Sequence, residues 1–404
     1  MITFRRGAMA ALLALSVTLP LAQTATAAAP PAVSAPSSVP AAFSGAEAER
    51  SGRVALPRPT GPYAVGTSGL HLTDTARQDP WEPGAGARQL LVSLHYPARK
   101  HTGTGRAPYL SAAEARELVR VLGPDMVPPG SGDLIAATRT WARKDARPAP
   151  GTFPLVVLSP GFGASRQSLT QLAEALASQG YVVASVDHAF ESRATAFPGR
   201  GVLPCTACDK TDSGQIGFDA VARGRAEDVS FVLDRLTGPG AVWQHAGMID
   251  PRRIGMAGHS IGGASAARAM ETDPRVGAGV NMDGSFFSPV PREGLGGRPF
   301  LMLGAGDTGP GGDGSWDEAW RNLDGWKRWL TVTGTRHHTF SDAPVLVDQV
   351  PGAPARPGEL PGKRSARIMG TFVTAFFDRH LKGADRPVLD GPTAADPEVV
   401  FHTP

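Results

Sequence analysis

Cysteine is scarce in this chain, with only Cys205 and Cys208 among 404 residues. No disulfide framework can therefore carry the fold, and no second Cys/His pair follows at ligand spacing to complete a zinc site. An excess of one charge is also missing, since 40 Lys+Arg stand against 37 Asp+Glu without a basic run. That balance argues against a nucleic-acid partner. Beyond the first 27 residues no apolar run approaches the ~20 residues needed to span a bilayer. No internal repeat is found.

The amino-terminal residues carry Arg5 and Arg6, an apolar run over 8–19, and the small-residue site Ala25-Thr26-Ala27. This order is that of a secretory signal peptide, so a leader over 1–27 and a secreted, soluble, monomeric product are expected. A retained membrane anchor is the alternative. Residues 28–60, rich in Ala, Pro and Ser, read as a linker. The catalytic domain is expected over 61–404, with 101–150 as a lid or surface insertion. In an exported protein Cys205 and Cys208 are expected to form a local disulfide; closing so small a loop contributes about 2 kcal/mol.

The core texture is alternating. Short apolar runs at 155–159, 181–186, 254–257, 276–282, 300–303 and 329–332 read as buried strands, preceded by strands near 63–72 and 89–96. Amphipathic stretches at 112–122, 168–178, 223–236, 262–271 and 367–381 read as helices. Such alternation predicts an α/β fold, with a mostly parallel sheet covered on both faces.

Gly258-His259-Ser260-Ile261-Gly262 matches G-x-S-x-G between a strand and a helix. This is the context of the nucleophile elbow of the α/β-hydrolase fold, in which glycines make room for a strained serine. A serine hydroxyl needs a base, and in this fold acid and histidine follow the nucleophile in the chain. His380 and His402 lie in or beyond the last helix, leaving His337 or His338 in the loop after 329–332. The acid that orients the imidazole is either Asp283 or Asp307, each ending a strand. An oxyanion requires two backbone N–H groups. Ile261 supplies one, and Phe162, between Gly161 and Gly163, supplies the other. Phe286 and Phe287 are candidates to line an acyl pocket or to pack beneath it. The acidic loop with Asp307, Asp313, Asp317 and Glu318 fits no EF-hand spacing, so no functional metal is expected.

Several short pieces occur together: Pro59-Thr60-Gly61-Pro62-Tyr63, Pro160-Gly161-Phe162-Gly163, Val186-Asp187-His188, Phe197-Pro198-Gly199-Arg200, Asn281-Met282-Asp283-Gly284, and the spacing His337-x-x-Phe340-x-Asp342. From about 56 to 400 the chain resembles the platelet-activating-factor acetylhydrolase-like branch of the α/β hydrolases, which includes secreted actinobacterial esterases and lipases. The resemblance implies Asp283 as the acid and His337 as the base. It further implies hydrolysis of carboxylic esters or lipids, acetyl-phospholipids among them, through an acyl-enzyme and without a cofactor. Acyl transfer or peptide hydrolysis on the same residues, or an inactive secreted binding protein, are the alternatives.

Overall fold

The computed structural model describes residues 53–404; the expected leader and most of the expected linker lie outside them. The end of that linker is a correction. Val54 and Leu56 are buried, and backbone bonds join Leu56 and Val54 to Arg139. Two large apolar side chains this close to the domain cover surface better than they tether it.

Nine strands carry the sheet: β1 (Ala64–Gln78), β2 (Ala87–Ala98), β3 (Phe153–Ser159), β4 (Val182–His188), β5 (Ile249–His259), β6 (Val276–Met282), β7 (Phe300–Ala305), β8 (Lys327–Val332) and β9 (Val399–His402). Their order is β9-β8-β7-β6-β5-β3-β4-β2-β1, with two-residue strands at 143–144 and 105–106 extending the β1 edge. The six strands from β8 to β4 run parallel; β2 and β9 join antiparallel on either side.

The principal helices are α1 (Ala112–Leu122), α2 (Thr170–Ser178), α3 (Phe218–Thr237), α4 (Ile261–Thr272), α5 (Gly314–Asn322) and α6 (Gly362–Lys382). Strand alternation decides which helix covers which face. Leu155 and Val157 of β3 join Val229, Leu233 and Met270 of α3 and α4 in one core, which also takes in Trp316 of α5. Val156 and Leu158 point the other way, onto Leu172 and Leu176 of α2 and Phe372 and Phe376 of α6. A strand buried on both faces must be apolar throughout, which explains the unbroken run in β3.

The chain runs from β3 to β4 on one side, then returns to place β5 on the other. Such a reversal opens a crevice at the carboxyl ends of the strands, here beside Ser159 and His259. Residues 101–150 contribute α1, whose first turn carries a capping box between Ser111 and Glu114. With Val54 and Leu56 they build a small separate core against Val345 and Leu346.

Candidate active site

Ser260 joins β5 to α4 with φ 56° and ψ −127°. That conformation costs a non-glycine residue on the order of 1–3 kcal/mol and persists only where its surroundings impose it. The glycines on either side are steric necessities. A Cβ on Gly258 would strike the backbone of Gly262, and one on Gly262 would strike the carbonyl of Ser159.

Ser260 Oγ lies 2.9 Å from His337 Nε2, and His337 Nδ1 lies 2.7 Å from Asp283 Oδ2. Because the carboxylate accepts, the Nδ1–H tautomer leaves Nε2 to accept from the serine hydroxyl. Asp283 has φ 58°, and its other oxygen accepts from the Ala305 N–H and the Thr308 hydroxyl, each at 2.7 Å.

Asp307 and His338 stay outside this chain of bonds. Asp307 is exposed on the wall of the cavity that Ser260 and His337 line, and among the described residues it makes no hydrogen bond to a histidine. His338 is also exposed, its ring centroid 5.7 Å from that of His337. β6 adjoins β5, so a residue just past β6 reaches the loop above Ser260. Asp307 starts one strand further away, and the segment before it serves instead to hold Asp283.

Two backbone donors face no acceptor: among the described residues, no hydrogen bond uses the N–H of Phe162 or Ile261. The turn bearing Phe162 is held from below by a buried ionic web. Arg225 donates to the Pro160 carbonyl at 2.5 Å and to Glu191 at 2.7 Å. Arg88 bonds Asp79, Glu191 and Asp228, while His188 Nδ1 lies 2.7 Å from Asp228. Burial pushes the Asp228 carboxyl up, but Arg88 and His188 more than reverse this and hold it well below the usual range. His188, Glu191 and Asp228 have the donor types of a metal site, yet the guanidiniums of Arg77, Arg88 and Arg225 already occupy the two carboxylates.

Sequence reasoning missed His259, set aside because it precedes the serine. It is buried, its Nε2 is 2.7 Å from the His337 carbonyl oxygen, and its ring centroid is 4.8 Å from that of His337. Burial first, and then the neighbouring His337 imidazole, push it down to about 3, so it is neutral and props the loop that carries His337. Its place inside G-x-S-x-G was the available signal.

Phe286 and Phe287 separate cleanly. Phe286 is buried against Trp316, whereas Phe287 is 40% exposed and lines a cavity of about 360 Å³ with Ser260 and His337. Phe287 continues into Phe218 and Phe162, with centroid separations of 4.8 and 5.2 Å. In the acidic loop Asp313 caps α5 through the Ser315 N–H and accepts from Ser285, and Asp317 accepts from Gly311. Cys205 and Cys208 form a disulfide at the start of a short helix, Thr206–Asp212.

A strained serine at the crevice of a mostly parallel sheet, bonded to a histidine and through it to a carboxylate, defines an α/β hydrolase. Comparison with known proteins narrows the class. A family model described as platelet-activating factor acetylhydrolase, isoform II, matches residues 48–200 and 234–386. A probable 1-alkyl-2-acetylglycerophosphocholine esterase of Arthroderma benhamiae is 31% identical over 86% of this chain and 93% of its own length. A bis(hydroxyethyl) terephthalate hydrolase of Streptomyces coelicolor is 34% identical over 39% of this chain and 41% of its own. The structure of a ferulic acid esterase from Streptomyces cinnamoneus superposes with TM-score 0.74 at 45% identity, covering 87% of this chain and 100% of that one. The chain belongs to the platelet-activating factor acetylhydrolase isoform II family and is a carboxylic-ester hydrolase.

Proposed function

We propose that the protein is an exported serine esterase working through Ser260, His337 and Asp283. The observation that carries this reading is the continuous bonding from Ser260 Oγ through His337 to Asp283, at 2.9 and 2.7 Å. Ser260 Oγ attacks the ester carbonyl as His337 Nε2 takes its proton. The N–H groups of Phe162 and Ile261 receive the oxyanion. His337 returns the proton to the leaving alcohol, and water, deprotonated by the same imidazole, then releases the acid. Asp283 keeps the imidazole oriented and stabilises its charged form.

The aromatic wall of Phe287, Phe218 and Phe162 supports compact or planar acyl groups beside Ser260. Names of relatives point the same way: acetyl, terephthalate and ferulic esters. Export rests on the charge, apolar run and small-residue order of residues 1–27 and on the Cys205–Cys208 bond. A fluorophosphonate probe followed by peptide mass spectrometry tests the mechanism. The expected adduct is on Ser260 and disappears in His337→Ala; a protein that stays unlabelled while folded is a binding protein, and the proposal fails.

A further inference from the structure

The far end of the sheet carries a different concentration of charge. Leu90 of β2 lies opposite His188 of β4 at the crevice, so the Ala64↔Ala98 end of the β1–β2 pair is at the opposite end. There Trp141, its indole N–H bonded to the Leu56 carbonyl, is stacked by three guanidiniums. Arg58, Arg106 and Arg139 sit with their central carbons 5.4, 5.1 and 4.4 Å from the ring centroid. The adjoining cavity, about 450 Å³, is lined by Arg58, Tyr63, Lys100, Arg106, Trp141 and Arg143 among others.

None of these cations forms a salt bridge among the described residues. Most other arginines among the described residues do, from Arg77 to Arg386. The carboxylates nearby do not alter this: Asp378, which shares a cavity with Arg58, is paired with Lys382 and Arg386. Glu174 is buried and spends one oxygen on the Trp141 and Ala142 N–H groups; Asp145 is exposed and meets only the Thr104 hydroxyl. The crowding is felt locally. Burial first, then Arg139 and Arg143, lower Arg106 from its ordinary value.

Like charges held together over an aromatic floor repel unless an anion joins them, and the planar donor forks of arginine match phosphate oxygens. We propose that this basin is a binding site for a phosphate-type anion, separate from the ester-cleaving site. The stacked indole fixes the guanidiniums, so little side-chain entropy remains to be lost when the anion enters.

The test uses the mature protein in two arms, at constant ionic strength set with sodium chloride. Titration calorimetry with inorganic phosphate and pyrophosphate reads a soluble ligand. Co-sedimentation with vesicles of phosphatidylglycerol and phosphatidylcholine, against phosphatidylcholine alone, reads a lipid headgroup. Saturable binding in either arm is expected, weakened at least about tenfold by Arg58→Gln with Arg139→Gln, which removes two charged hydrogen-bond donors. Circular dichroism verifies that the variant is folded, and hydrolysis of a soluble ester should be unchanged. Binding in neither arm, or binding that survives in the variant, overturns the proposal.

Discussion

The two ends of the sheet treat positive charge in opposite ways. Beneath the crevice, Arg88 and Arg225 are fully buried, and every guanidinium faces carboxylates at bonding distance. At the other end, Arg58, Arg106 and Arg139 are exposed and share an indole rather than a counter-ion. Desolvating an ion costs several kcal/mol unless a partner compensates. The buried pair is therefore compensated inside the protein and acts structurally, fixing the Pro160 turn. The exposed trio has no internal carboxylate at bonding distance and keeps its capacity for an external partner. Charge that is satisfied builds a site; charge left unsatisfied can bind.

The sharpest way to break this division is at the proposed nucleophile. Ser260→Ala should lower kcat on the order of 10⁶-fold with little change in KM, as triad removal does in well-studied serine hydrolases. Phosphate binding at the Trp141 basin should be untouched. A variant retaining a tenth of the parent rate removes Ser260 from its proposed role.

Within the crevice end, the two aspartates should part company. Asp283→Asn leaves the imidazole without its orienting acceptor and should cost about 10⁴ in kcat. Asp307→Asn, on an exposed residue, should cost less than a tenth of that effect. Steady-state kinetics on one soluble ester decides the matter, and a crippled Asp307 variant overturns the acid assignment alone.

Much of this architecture was legible in the sequence because it follows from periodicity. The apolar runs of β3, β6 and β8 and the amphipathic pattern of α1 lie where alternation and 3.6-residue spacing place them. The Gly-rich elbow was legible because only glycine fits there. The choice between Asp283 and Asp307 was not legible from pattern, since both end adjacent parallel strands. Only the pairing of β6 with β5 brings one of them over Ser260. Helix α5 was hidden in an acidic, Gly-rich stretch that looked like a loop, its start set by the Asp313 cap. Arg225 and Asp228 sit on an amphipathic helix, where charged residues read as a solvent face; nothing local announces that β2 and the Pro160 turn will bury them.

Breaking the buried web comes next in size. Arg225→Met removes one partner of Glu191 and the donor to Pro160, and truncating a buried pair costs about 3–5 kcal/mol. Urea unfolding should register that loss, and kcat should fall as the Phe162 N–H loses its support. Arg58→Gln, at the open end, should shift stability by no more than about 0.5 kcal/mol. Equal effects from the two substitutions would erase the distinction between compensated and uncompensated cations.

The last expected effect is one of pH, at Glu174, a deeply buried carboxyl beneath the basin. Burial pushes it up to about 7, against the pull of the Ala142 and Trp141 N–H groups and of Arg106. An unfolded glutamate ionises near 4.3. Between roughly pH 4.3 and 7 the folded chain thus holds a proton that the unfolded chain has released. The sign follows: the native state binds more protons, so this residue's contribution to stability falls as pH rises through that window. The total is on the order of 3 kcal/mol, complete near neutrality. His259 and His95, pushed down to about 3 and about 4 chiefly by burial, work in the reverse sense and weaken the fold as pH falls below their ordinary range. Comparison with Glu174→Gln separates these contributions, because glutamine keeps an oxygen for the Trp141 and Ala142 N–H groups and does not titrate. Urea midpoints of both proteins from pH 4 to 8 should converge at the acid end. The parent should fall progressively below the variant toward pH 7. Curves that run parallel across the range would show that Glu174 ionises normally, and that the floor of the basin carries no buried proton.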